Sequence, residues 1–268
     1  MVCWISHALM EHWARIGIIA LISAIYIAIF ICLGIFVSAR CSRSSTSLLI
    51  LLLIWIALVV LTPNILGSIS SGLKSVPSTD EISRRKKTAK DDLWKRYEDR
   101  GLFETAPSRE NPDMGAMRLW AECLNDERQT EEKIMDKHLD AQLAQIQLAR
   151  QITRISPTAI YRYALESMSN TGFQRHRQFI ANVRVYRDIF WNYIKSEDQK
   201  DSDSLHVYFV REGVSDKPAS FDSAPRFTES LALASTLDNA LLDIAILTLF
   251  AVFLFMAAYI SFIRTDVK

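Results

Sequence analysis

Several side chains in this 268-residue chain are of types that do chemistry, but none has the spacing that chemistry needs. His7, Glu11 and His12 stand together in "HALMEH". Two histidines and an acid on one helix can hold zinc. The run matches neither H-E-x-x-H nor H-x-x-E-H. His7 and Glu11 would share a helix face, while His12 is turned by about 100° from Glu11. The simpler reading is an interfacial helix end, with Trp4 and Trp13 at headgroup level. Ser44, Ser45 and Thr46 have no His or Lys nearby to activate them as nucleophiles, and they suit a helix start. His176, in "RHR", reads as a solvated position. No G-x-x-x-x-G-K-[ST] occurs, and the eight glycines are scattered. The chain is therefore not expected to be an enzyme or to hydrolyse ATP. No metal or cofactor set is expected either.

What the sequence does specify is a set of apolar elements. Residues 67–238 hold 53 of the 61 charged side chains, 26 basic and 27 acidic. The two ends hold the remaining few. Three long apolar runs cover residues 16–37, 48–66 and 241–262. The first has 22 residues and no charge, and as a helix it measures about 33 Å against a hydrocarbon core of about 30 Å. Its leading segment lacks a basic start, so it is expected to be a retained span and not a cleaved leader. The net charge of +1 gives no general affinity for nucleic acid. Membrane lipid is the expected surroundings.

Charge then sets the threading. Short cytoplasmic loops are rich in Arg and Lys. The gap at 38–47, "SARCSRSST" and the residue after it, carries Arg40 and Arg43 and no acid. The tail at 263–268 carries Arg264 and Lys268 against Asp266. Three spans put both segments on one side, taken as the cytoplasm. Residues 1–15 and the domain at 67–238 are then extracytoplasmic. The basic run "SRRKK" at 83–87 belongs to a long domain, which translocates largely regardless of charge. Asn64 and Asp243 are the main intramembrane polar positions. Asp243 lies near the start of the third run and is expected to reach interfacial water. Of the four cysteines, only Cys123 falls in the outer domain, so no disulfide can form within it.

The fold class expected is mainly α: three transmembrane helices, and a helical extracytoplasmic domain inserted between the second and third. Within that domain, 91–101 reads as an amphipathic helix stopped by glycine, and 102–113 as a loop. A long helix is expected from Met114 to about Ile155, either within the domain or as a coiled-coil arm between protomers. Ser156 and Pro157 start a new helix as N-cap and first position. Thr171 and Gly172 open another. The stretch 196–204, "SEDQKDSDS", reads as a solvated loop, and 205–210, "LHVYFV", as the one strand-like run.

The run "SARCSRSSTSLLILLLIWIALVVLTPNIL" resembles the fourth-span end, short cytoplasmic loop and fifth span of permeases of type-2 ATP-binding-cassette exporters. The group resembled has a large outer domain before its last span and includes gliding-motility and nitrous-oxide-reductase-maturation permeases. Residues 155–194, "ISPTAIYRYALESMSNTGFQRHRQFIANVRVYRDIFWNYI", are similar to the group's Ser-Pro, helix, Thr-Gly, long-helix segment. "APRFTES" at 224–230 and "FIRTDVK" at 262–268 resemble its approach to the last span and its ending. Together these cover about half of the chain. The resemblance implies a bacterial inner-membrane subunit that works with a separate ATPase subunit. It also implies a second permease subunit or a missing amino-terminal half, because such permeases have six spans and this chain has three. Arg40, Arg43, Arg264 and Lys268 are the implied cytoplasmic partner contacts, and the outer domain the implied dock for a protein partner. The alternative is a membrane-anchored scaffold or sensor that recruits partners without transport.

Overall fold

The structure, a computed structural model, describes residues 2–73, 75–104, 113–218, 221–228 and 233–266. It is mainly helical, and no strand occurs among the described residues. The helices are α1 (Val2–Arg40), α2 (Ser44–Trp55), α3 (Thr62–Leu73), α4 (Thr79–Glu98), α5 (Met114–Thr153), α6 (Pro157–Met168), α7 (Phe173–Asp198) and α8 (Leu233–Asp266). Among the described residues, three helical stretches are long and apolar enough to cross a membrane: Met10–Arg40, Ser44–Ile69 and Ser235–Arg264. Each contains one of the apolar runs and extends beyond it at both ends.

The second stretch is continuous because α2 passes into α3 through a π turn at Ile56–Leu61. The turn lies just before Pro63. Proline has no N–H and its ring crowds the carbonyl four residues back, so a helix meets it more easily with one extra residue in the turn. The Thr62 N–H accordingly reaches the Ala57 carbonyl, and the Thr62 hydroxyl donates to the same oxygen at 2.7 Å.

Two compact units divide the chain. The first comprises residues 1–75, 145–180 and 229–268, and the second 76–144 and 181–228, so α5 and α7 contribute to both. The first unit is built on α6. This short helix packs against α1 and α8 through a core of Ile22, Ile29, Ile160, Ala164, Met168, Ala240 and Leu247. Alanines at 164 and 240 let the helices approach closely. Ser156 is the N-cap and accepts the Ala159 N–H, with Pro157 at the first position, as the sequence predicts. Asn170 (φ 55°) makes the turn out of α6, and the Thr171 and Gly172 N–H groups close it on the Glu166 carbonyl. Part of the hydrophilic stretch 67–238 thus packs with the apolar helices.

The second unit joins α4 to the first part of α5 and the last part of α7. Ser78 caps α4 by accepting the Glu81 N–H at 3.2 Å. Gly101, at φ 86°, follows its end. Leu93, Tyr97, Leu102 and Cys123 form one buried cluster, and Met117, Val207 and Val210 another. Two aromatic polar groups of this unit find acids: Tyr97 OH donates to Asp126 at 2.8 Å and Trp94 Nε1 to Glu127 at 2.7 Å. The expected loop at 102–113 falls largely outside the described residues.

Two local expectations are corrected here. Residues 205–210 are not a strand. His206 (φ 54°) and Phe209 (φ 72°) fold the run into a compact loop, in which the Val207 N–H donates to the Gly213 carbonyl at 2.9 Å. Nor is 196–204 a solvated loop throughout. It includes the end of α7, and Asp198 and Asp201 within it are buried.

Candidate functional site

Of the charged positions in the expected spans, Asp243 is placed differently from the sequence reading. It does not reach interfacial water: it is 1% exposed, and both its oxygens are occupied. Arg154 Nε donates to Oδ1 at 2.7 Å and Nη2 to Oδ2 at 3.2 Å. Arg154 stands between α5 and α6, so the turn into α6 is held to α8 by a bidentate pair. Such pairing is what an acid among apolar helices requires, because an isolated charge there is costly.

The pair is one end of a polar seam that follows α6. Ser156 Oγ donates to the Leu58 carbonyl at 2.8 Å, inside the π turn. Widened turns leave carbonyls less firmly engaged, and this one is taken by a hydroxyl. Tyr26 OH and Thr158 Oγ1 lie 3.1 Å apart, and Ser23 Oγ and Tyr161 OH 3.0 Å apart. The Tyr26 and Tyr161 rings stack at 4.2 Å. Leu58 is 14 residues into the stretch beginning at Ser44 (58 − 44), about 21 Å along it. These contacts therefore put the start of α6 beside the middle of the first two apolar stretches and near the beginning of the third, not beyond their ends. The sequence points to Asp243, and to Ser156 only as a helix N-cap; Arg154, Thr158 and Tyr161, and their partners Ser23 and Tyr26, carry no sequence signal of their own. The available signal was the lone acid of the third run, which needs a base from outside the spans.

The remaining expected positions are simpler. Arg40 Nε donates to Ser261 Oγ of α8 at 3.3 Å, and its guanidinium lies over Phe36. Arg264 is exposed one turn beyond Ser261, and Arg43, also exposed, precedes α2. The described arginines of the two basic segments thus lie at the same ends of α1 and α8. Lys268 lies outside the described residues. Asn64 is exposed and donates to the Val60 carbonyl of its own helix at 2.7 Å. The His7 side chain is also outside what is described. Among the described residues no group of three or more His, Cys, Asp or Glu could hold a metal.

A second candidate lies in the other unit, where α7 ends. Asp198 accepts hydrogen bonds from His206 Nδ1 (2.8 Å), Ser204 Oγ (2.8 Å) and the Ser215 N–H (2.7 Å). Burial alone would raise this carboxyl, but the bonds from His206, Ser215 and Ser204 outweigh it and hold it below the usual range. Asp201 accepts from the Lys217 ammonium, the Ser215 hydroxyl and the Asp203 N–H, which together hold it at about 2. These bonds close residues 198–217 into a loop that stacks Phe209 on Trp191 at 4.9 Å. A depressed carboxyl stabilises above its unfolded value, about 3.9 for aspartate, and the contribution is lost as pH falls through the folded value. Trp191 emission should therefore be constant above about pH 4 and change as pH falls towards about 2. Trp191→Phe should abolish the change. A signal that stays flat to pH 2 would show that the carboxylates do not hold this loop.

A family model described as "Domain of unknown function (DUF3526)" matches residues 73–229, more than half of the chain. No curated protein and no solved structure matches it. The matched stretch contains Arg154 and the whole Asp198–Lys217 loop, and it ends before Asp243. The chain therefore belongs to the DUF3526 family.

Proposed function

We propose that this chain is a membrane-spanning, permease-type subunit of an ATP-binding-cassette exporter. It would work with a separate ATPase subunit, complete its route with a second permease subunit, and present its 76–144 and 181–228 unit outside the bacterial inner membrane. Three observations support the reading: the three long apolar helices, the resemblance of about half of the chain to such permeases, and the pairing of buried Asp243 with the partly exposed Arg154. The pair is the observation that carries it. A scaffold needs only anchors, and anchors surrounded by lipid gain nothing from a buried charge pair. A subunit that changes shape does need discrete, breakable contacts between helices, because coupling requires interactions that differ between two states. Arg40, Arg43, Arg264 and Lys268 would face the cytoplasm and the ATPase side.

Purification from native membranes in mild detergent tests the reading. An ATP-binding-cassette ATPase and a second permease subunit should co-purify, and ATP turnover in the complex should depend on this chain. Recovery of the chain with neither partner in repeated preparations would favour the membrane-anchored scaffold instead. The threading has its own test in a chain stripped of native cysteines. Ser196→Cys, at an exposed position of α7, should react with an impermeant thiol reagent added to intact spheroplasts. Cys41 restored alone should not react. The opposite pattern would invert the orientation.

A further inference from the structure

The wall formed by Trp191, Tyr208 and Phe209 borders two adjoining hollows. One, of about 440 Å³, continues over Tyr193, Ile194 and Val214 and is mainly apolar. The carboxylates at its margin are already engaged: Glu197 by Lys200, and Asp198 and Asp201 by the loop's own donors. The other hollow, of about 500 Å³, is lined by Arg118, Lys195 and Glu122, the last of which is paired with Arg100. Neither cation has a carboxylate partner among the described residues. The Lys195 ammonium rests over the Trp191 and Tyr208 rings at 5.4 and 5.7 Å, and Arg118 is exposed. The wall is also maintained at a conformational cost. His206 and Phe209 both adopt the left-handed region, a strained conformation for a non-glycine residue that clusters at ligand-contacting positions.

We propose that this double hollow docks an acidic peptide segment of a partner protein. A bulky apolar side chain of the segment enters the hollow beside Trp191 and Phe209, and flanking carboxylates pair with Arg118 and Lys195. A hollow of this size with aromatic walls and few polar demands suits one buried anchor residue, the usual energetic centre of a protein contact. Charge complementarity selects the sign of the flanks. An extended anionic surface such as a lipid bilayer fits less well, because the same loop exposes Asp203 and Asp216. The inference goes beyond the exporter reading and does not depend on it: loss of one leaves the other's test unchanged.

The test uses the full chain in phosphatidylcholine nanodiscs and fluorescein-labelled peptides read by anisotropy at low salt. The probe has the sequence Asp-Glu-Phe-Leu-Asp-Glu. Its controls replace Phe-Leu with Ser-Ser, or all four acids with lysine. The probe should bind saturably, and each control should bind at least about ten-fold more weakly. Arg118→Glu with Lys195→Glu should weaken the probe by at least about ten-fold at an unchanged melting temperature. Arg118→Glu alone, at an exposed site, should move affinity in the same direction. The proposal is overturned by three results: no binding of the probe at about 1 mM, affinity indifferent to the charge reversals, or Arg118- and Lys195-dependent binding of phosphatidylglycerol vesicles with which the probe does not compete.

Discussion

Arg154→Leu is expected to lower the stability of the apolar unit by about 3–5 kcal/mol, the cost of leaving a buried charge without its partner. The reason is geometric. Asp243 is 1% exposed, and both its oxygens point at Arg154. Without the guanidinium the carboxylate has no water to turn to, and it must either remain charged among apolar side chains or take up a proton. Asp243→Asn should cost less, because an amide oxygen still accepts a bond from Arg154. The double variant Arg154→Leu with Asp243→Leu should regain most of the loss, since two apolar side chains suit the site about as well as the ion pair. Unfolding of the three variants in nanodiscs, followed by far-UV circular dichroism, measures all three values. A double variant no more stable than Arg154→Leu alone would show that the unpaired carboxylate is not the source of the loss. The same double variant separates stability from coupling: if the pair is a switch contact, it folds but no longer links ATP turnover to movement of the apolar helices.

This pair also marks where reading the sequence stops. The three long apolar helices were legible because lipid imposes a length and a composition that few other environments demand. The start of α6 was legible because Ser156 and Pro157 act on the backbone next to them. The pairing of Arg154 with Asp243 was not, because 89 residues separate them and no local rule connects them. The expectation that Asp243 reaches water rested on its distance from the end of the run, and it failed because a short helix from the hydrophilic stretch lies beside it. Likewise, residues 205–210 have the alternation of a strand. Only the closed loop, in which His206 Nδ1 bonds to Asp198 and the Val207 N–H donates to the Gly213 carbonyl, shows why His206 and Phe209 turn out of it. That the arginines at 40 and 264 lie at the same ends of their helices was legible from charge alone.

Gly213→Ala is expected to break that loop. A Cβ at 213 would stand 2.3 Å from the Val207 carbonyl oxygen and 2.7 Å from the Val207 Cβ. The nearer atom is backbone, so no side-chain rotation relieves the contact. The same two residues are bonded, Val207 N–H to Gly213 carbonyl at 2.9 Å, and the substitution therefore pushes apart a pair that the loop needs in contact. Overpacking of this kind costs about 1–3 kcal/mol, and the lost hydrogen bond adds about 1 kcal/mol. The damage should be local. Val207 and Val210 would leave the cluster they form with Met117, and Phe209 would leave Trp191. The apolar unit contains none of these residues and should melt as before. Hydrogen exchange resolves the two cases: faster exchange confined to residues 198–217 is expected, with the amides of α1, α6 and α8 unchanged. Because the wall beside Trp191 is part of the loop, Gly213→Ala should also abolish binding of the acidic probe peptide while Arg118 and Lys195 remain in place. Retention of full peptide affinity by a chain whose loop exchanges freely would show that the fixed positions of Tyr208 and Phe209 are not what the peptide recognises.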